Sequence, residues 1–134
     1  MAVQPKVSDR RTQLLKGVLD MCLLSVIAEE PSYGYEMVRK LDERGLTLAS
    51  EGSIYPLLSR LQRRGLIEGY LVSSSEGPAR KYYRVADAGT SALADWRDDW
   101  RALSRSVDAV LDGSVAPIVV RPPDGADEVG GSES

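Results

Sequence analysis

The chain has 134 residues, 43% of them apolar and 28% charged, which suits one globular domain with appendages and a modest core. The absence of histidine and the single cysteine, Cys22, remove the usual general base, most transition-metal sites and any internal disulfide, so no catalytic residue, metal or cofactor is expected. No apolar run approaches the roughly 20 residues that span a bilayer, residues 1–6 lack the order of a secretory signal, and a reducing cytoplasm is the expected setting.

Residues 1–10 are polar, and Ser8 or Asp9 can cap a first helix. Leu15, Val18, Leu19, Cys22, Leu23, Val26 and Ile27 then recur at helical spacing as a broad apolar stripe. Cys22 falls within that stripe, so packing is its expected role rather than redox sensing. Pro31 disfavours α geometry at Glu30 and stops the helix. Ser32 is expected to cap the next helix, with Met37, Val38 and Leu41 buried and Gly45 as a left-handed stop.

Ile54, Leu57, Leu58 and Leu61 form an i, i+3, i+4, i+7 set that predicts a third helix ending at Gly65. Its start falls between Ser50 and Ser53. Pro56 lacks an N–H, which is harmless only in the first turn and favours Ser53 as the cap. Residues 66–73 and 80–85 read as two strands of a hairpin, joined by the turn chemistry of residues 74–79. A last helix begins near Ala88. Leu93, Trp96, Trp100, Leu103, Val107 and Val110 step by 3, 4, 3, 4, 3, a heptad seam that an isolated helix has no reason to carry. Past Asp112 the composition turns to Gly, Ser, Pro and Asp, and residues 113–134 are expected to be disordered.

The net charge of −3 speaks against a nucleic-acid partner only until it is divided along the chain. Residues 53–84 hold six basic and two acidic side chains, whereas residues 85–134 hold four and ten, so the acidity belongs to the C-terminal part. Within the basic stretch, the third helix has Ile54, Leu57, Leu58 and Leu61 on one side and Tyr55, Pro56, Ser59 and Arg63 on the other, with Arg60 at the flank. An ordinary solvated face would more often be charged at Tyr55 and Pro56. Arg60, Arg63 and Arg64 supply guanidinium donors suited to phosphate or guanine. In the hairpin, alternation puts Lys81 and Tyr83 on one face and Arg80, Tyr82 and Arg84 on the other. A helix with one polar face followed by a basic hairpin can lay the helix in a DNA groove and the wing on the flanking backbone. Tyr82 and Tyr83 are expected to pack. Tyr33 and Tyr35 either pack between helices or bond a phosphate through their hydroxyls.

Several ordered segments carry a family resemblance. They are Pro31-Ser32-Tyr33-Gly34-Tyr35-Glu36, then Glu51-Gly52-Ser53-Ile54-Tyr55-Pro56-Leu57-Leu58-Ser59-Arg60-Leu61 with Arg63-Arg64-Gly65-Leu66-Ile67, then Gly77-Pro78-Ala79-Arg80-Lys81-Tyr82-Tyr83, and finally Gly89 with the two tryptophans. From about Gly17 to Leu111 the chain resembles the PadR family of bacterial winged-helix transcriptional regulators, in the short form with a single C-terminal helix. The resemblance implies an α+β, mainly α fold: a winged helix-turn-helix over residues 1–87, a dimerisation helix over 88–112 and a tail over 113–134. It implies that the third helix enters the major groove with Ser53, Tyr55, Ser59 and Arg60 nearest the bases. Arg63 and Arg64 would then reach phosphates, and Arg80 and Lys81 would bring the wing to the backbone or minor groove.

The first and last helices are expected to form a homodimer through Leu15, Leu19, Leu93, Trp96, Trp100, Leu103, Val107 and Val110, because the seam otherwise exposes a large apolar patch. Twofold symmetry then implies an inverted-repeat operator in double-stranded DNA. Trp96 and Trp100 either pack in the interface or leave a flat slot for a planar aromatic effector. Trp100 matches the position at which some family members sandwich such molecules. The function expected is a sequence-specific regulator, a repressor released by that effector. The alternatives are a ligand-independent regulator and a winged-helix module that binds protein.

Overall fold

The computed structural model describes residues 9–47 and 51–113. Four helices and a small antiparallel sheet follow one another as α1 (Asp9–Glu29), β1 (Ser32–Tyr33), α2 (Gly34–Glu43), a 3-10 turn (Glu51–Ile54), α3 (Tyr55–Arg63), β2 (Ile67–Ser74), β3 (Gly77–Val85) and α4 (Asp87–Asp112). The arrangement is a winged helix-turn-helix. The described residues divide into two units between Arg97 and Asp98, inside α4. Residues 114–134, for which disorder is expected, lie outside the described residues, as do Ser8 and Ser50.

The apolar spacing of the sequence accounts for the core of the first unit. Leu19, Leu23, Leu24, Val26 and Ile27 from α1 meet Met37 and Leu41 from α2, Ile54, Leu58 and Leu61 around α3, Leu66, Ile67 and Tyr83 from the wing, and Leu93 from α4. Each fully buried Leu or Ile contributes about 1.5–3 kcal/mol by leaving water, so the recognition-type helix is held through Ile54, Leu58 and Leu61, all at most 1% exposed. Cys22 packs against this core, and burial pushes its thiol pKa up, with Asp20 adding to the effect; a reactive thiolate needs the opposite shift.

Both α2 and α3 end in the same way. Leu66 N–H donates to Leu61 C=O and Gly65 N–H to Gln62 C=O, with Gly65 at φ 76°; Leu46, Leu41, Gly45 and Asp42 repeat the pattern after α2. This is the Schellman stop, and its apolar pair Leu61–Leu66 is buried.

Three expectations are corrected. Ser32 does not cap α2: it lies in β1, fully buried, paired with Tyr83, and its hydroxyl donates to Glu30 C=O at 3.0 Å. Tyr33 occupies the cap position in extended backbone, and the Glu36 carboxylate accepts its N–H at 3.2 Å. At α3, Ser53 is not the cap either; a 3-10 turn begins at Glu51, within the expected range, and Ile54 precedes the α-helix, which leaves Pro56 harmlessly in the first turn. In the hairpin the turn narrows to Ser75–Glu76, because residues 77–79 join β3. The pairs Val72↔Arg80 and Ser74↔Gly77 leave Pro78 and Ala79 opposite Ser73, so the proline that cannot donate to the ladder sits in a bulge.

Candidate nucleic-acid interface

The sheet order β1-β3-β2 sets the two faces of the wing. Tyr83 is buried on the inner face, and its cross-strand partner Gly69 lies on the same side. A Cβ at Gly69 would fall 2.6 Å from Lys81 Cε and 3.3 Å from Gln62 Oε1. Lys81 therefore crosses Gly69 toward the polar end of α3, with its ammonium 5.8 Å from the Tyr83 ring centre. On α3 itself, Ser59, Arg60, Gln62 and Arg63 are exposed, and Ser59, Gln62 and Arg63 line a shallow open depression. Helix and wing thus bring Lys81, Gln62, Ser59 and Arg63 to one surface. Arg60 and Arg63 carry no ion pair to another described residue, so their donors remain available.

The outer face of the sheet carries a row of rings and guanidinium groups. Tyr33 packs against Tyr35 (centroids 6.4 Å apart) and Tyr82 (5.2 Å), and Tyr82 against Tyr70 (6.1 Å). Arg80 lies 4.7 Å over the Tyr33 ring and donates from Nη1 to its hydroxyl at 3.2 Å, while Arg84 lies 4.7 Å over Tyr70 and donates from Nε to Glu68 at 3.0 Å. The expected alternation of Arg80, Tyr82 and Arg84 against Lys81 and Tyr83 is what these contacts report. Tyr33 is half-buried under Arg80, whereas Tyr35 is exposed.

Other expected site residues have different surroundings. Arg64 lies 5.5 Å over the Trp96 ring, which ties the end of α3 to α4 and covers that indole. Tyr55 is exposed over much of its ring, but its hydroxyl donates to Glu51 Oε2 at 2.6 Å. That bond, helped by burial, pushes the phenol pKa up to about 12. Ser53 is exposed beside it. Leu19 and Leu93, expected in a dimer seam, are buried in the chain's own core, and Leu15 and Trp96 are half-buried against it. In the second unit, Trp100, Leu103, Val107 and Val110 stay between 45% and 78% exposed.

Sequence reasoning missed Gln62 and Glu51. Gln62 follows Ser59 by three residues on the same polar face, and Glu51 precedes Tyr55 by four; both are helical-neighbour spacings. No group of His, Cys, Asp and Glu that could hold a metal occurs among the described residues, and none of their helices is long and apolar enough to cross a membrane.

A winged helix with a basic hairpin beside an exposed polar helix face defines a class of DNA-binding regulators. The chain belongs to the Transcriptional regulator PadR-like family, whose pattern it matches over residues 23–95. It is 35% identical over 101 residues to Transcriptional regulator Rv3488 of Mycobacterium tuberculosis, covering 73% of this chain and 87% of that protein. Among solved structures it is similar to a PadR-like transcriptional regulator from Bacillus cereus (49% identity, TM-score 0.66, 74% of this chain and 96% of that one). A PadR family regulator from Eggerthella lenta aligns with TM-score 0.71 at 33% identity, over 78% of this chain and 91% of that one. The protein is accordingly a transcriptional regulator of a DNA-binding family.

Proposed function

We propose that the protein acts in the cytoplasm as a homodimeric repressor, reading an inverted-repeat operator with α3 and the wing and leaving it when a planar aromatic molecule binds beside Trp100. The observation that carries the DNA part is the convergence of Lys81 with Gln62, Ser59 and Arg63 across Gly69, on one exposed and locally basic surface. In this reading Ser53, Ser59 and Arg60 lie nearest base edges, while Arg63, Arg80 and Lys81 meet phosphates. The Tyr33 hydroxyl, bonded by Arg80, and the exposed Tyr35 are further candidates for phosphate contact in this reading. Arg64, laid over Trp96, is exposed and keeps its charge, so in this reading it too can meet a phosphate.

The dimer part rests on the apolar stripe Trp100, Leu103, Val107 and Val110, with Leu111 beside it, all exposed on one helix. Leaving that stripe in water is unfavourable, and a second copy of α4 would cover it by knobs-into-holes packing. On α1, Leu14 is exposed whereas Leu19 is buried in the chain's own core. Trp100 is the exposed indole of the two, which favours it over Trp96 as the effector platform. Release then requires that the ligand bind one dimer shape more tightly than the other.

The test is selection of duplexes from a randomised library by the full chain, followed by sedimentation of the free protein and of its complex. An enriched inverted repeat bound by two copies supports the proposal. A failure to enrich any duplex overturns it in favour of a protein-binding winged helix, and enrichment that no planar aromatic compound reverses favours a ligand-independent regulator.

A further inference from the structure

Glu51 is the only acidic residue between Glu43 and Glu68, in the stretch that leads into and forms α3. A carboxylate there repels phosphate, so its presence calls for a physical reason. Its Oε2 accepts the Tyr55 hydroxyl at 2.6 Å, across four residues that span the 3-10 turn and the first position of α3. Both partners also abut the start of α2. A Cβ placed on Gly34 would lie 2.5 Å from the Tyr55 hydroxyl oxygen, 3.0 Å from its Cζ and 3.1 Å from Glu51 Oε2. Gly34 is buried, and no larger residue fits without displacing the pair.

The start of α3 needs such an anchor. Ile54 stands where a Ser, Thr, Asp or Asn side chain would cap the first turn, and no side-chain cap bond is made. Pro56 adds no donor. The Glu51 carboxylate also sits at the positive end of the helical segment, where negative charge is favourable. A phenol is protonated at physiological pH in any case, so the Tyr55 hydroxyl stays a donor to Glu51, and that bond in turn pushes its pKa up to about 12.

We propose that Glu51 and Tyr55 form a latch, seated on Gly34, that fixes the start of α3 against α2, so that both are positioning residues for DNA reading and not DNA contacts. The proposal rests on α3 being the reading helix, and it assigns Tyr55 a different role from the base-proximal one that the sequence suggests. Because α3 is only nine residues long, a tilt at its first turn displaces Ser59, Arg60 and Arg63 together.

The experiment uses the full chain with Tyr55→Phe, Glu51→Gln, Glu51→Ala and the double variant Tyr55→Phe/Glu51→Ala. Amide hydrogen exchange over residues 51–58 is measured on the free proteins. Affinity is measured for a duplex enriched by the wild type and for a scrambled duplex of equal length. Tyr55→Phe and Glu51→Ala should each speed exchange and lower the enriched-to-scrambled ratio by about tenfold, the size of one lost charge-assisted hydrogen bond. The double variant should be no worse than either single one, because both remove the same bond. Glu51→Gln, whose amide oxygen still accepts, should keep most of the ratio. Unchanged exchange in the two single variants overturns the latch. So does Glu51→Ala tightening binding to both duplexes while Tyr55→Phe weakens it, since that pattern puts the phenol on a phosphate. A wild type that enriches no duplex overturns the DNA-reading assignment separately, and the exchange data still decide the latch.

Discussion

Gly89 provides the sharpest test of how α4 is seated on the wing domain. It lies buried in the first turn of α4, and a Cβ there would collide with the Leu66 carbonyl oxygen and stand 2.9 Å from Val85 Cγ2. The same carbonyl accepts the Ala86 N–H at 3.0 Å, so it has little freedom to withdraw. Gly89→Ala gains about 1 kcal/mol of helix propensity. Against that stand an overpacking cost of about 2 kcal/mol and the Ala86–Leu66 hydrogen bond, worth about 1 kcal/mol. The expected result is a net loss of about 2 kcal/mol, read as a lower denaturant midpoint at unchanged slope. Protein concentration must be fixed, since association shifts apparent stability. Gly17→Ala is the control: this glycine is exposed within α1 and its Cβ would meet nothing within 4 Å in the same chain. It should stabilise by about 1 kcal/mol from propensity alone. A Gly89→Ala protein as stable as the wild type would refute the close approach of α4 to Leu66, and a destabilising Gly17→Ala would put a neighbouring chain on that face of α1.

The Glu29 carboxyl is held below the usual carboxylate range, first by its bond to Arg44, and burial only partly opposes this. A depressed folded pKa means stability that is present above the ordinary carboxylate value and lost as pH falls through the folded one. The midpoint difference between wild type and Glu29→Gln should therefore be constant near neutrality and shrink in acid; a difference that persists in acid contradicts the pairing. Arg60→Ala should weaken binding to an enriched duplex more than to a scrambled one, whereas Lys81→Ala should weaken both and reduce the salt slope by about one unit per bound copy. Equal salt slopes for Lys81→Ala and wild type would remove Lys81 from the interface. Planar aromatic compounds that quench tryptophan emission should lose that effect in Trp100→Ala and keep it in a variant lacking only Trp96; the reverse pattern would move the effector to Trp96.

How much of this was legible in the sequence follows from which contacts are local. The set Ile54, Leu57, Leu58 and Leu61 marks the buried side of α3 because helical neighbours share a face, although Leu57 is half-buried rather than enclosed. Gly45 and Gly65 mark the two helix stops for the same local reason. β1 was not legible: it is two residues long, and its partners Tyr82 and Tyr83 lie some fifty positions away. Without that pairing Ser32 looks like a cap. The bulge at Pro78 is equally non-local, since it is defined by the register against β2. The Glu51–Tyr55 spacing is local, but the reason for it is Gly34, which only the fold brings near. The seam on α4 was readable as apolar, but spacing cannot say which neighbour covers it. Leu93 is covered by the chain's own core, while Trp100 and the residues beyond it are exposed.

Charge divides in a comparable way once partners are assigned. Arg44 is paired with Glu29, Lys40 with Glu30, Arg39 with Glu43 and Arg84 with Glu68. These side chains hold helix ends and the sheet edge, and they contribute little to a field beyond a Debye length. Arg64 lies over Trp96. Of the six cations of residues 53–84 only Arg84 is in one of these ion pairs, which leaves Arg60, Arg63 and Arg64 at α3 and Arg80 and Lys81 on the wing. Arg80, stacked on Tyr33, is pre-oriented rather than neutralised, because a phenol ring leaves its charge intact. A short basic surface on an otherwise acidic chain favours contacts made in register, since the remaining carboxylates oppose loose, sequence-independent attraction to a polyanion. Glu51 is the only acidic residue between Glu43 and Glu68 in sequence, and the hydrogen bond it accepts from the Tyr55 hydroxyl gives it a reason to be there. Net charge, by summing over paired and unpaired groups alike, conceals the property on which binding depends.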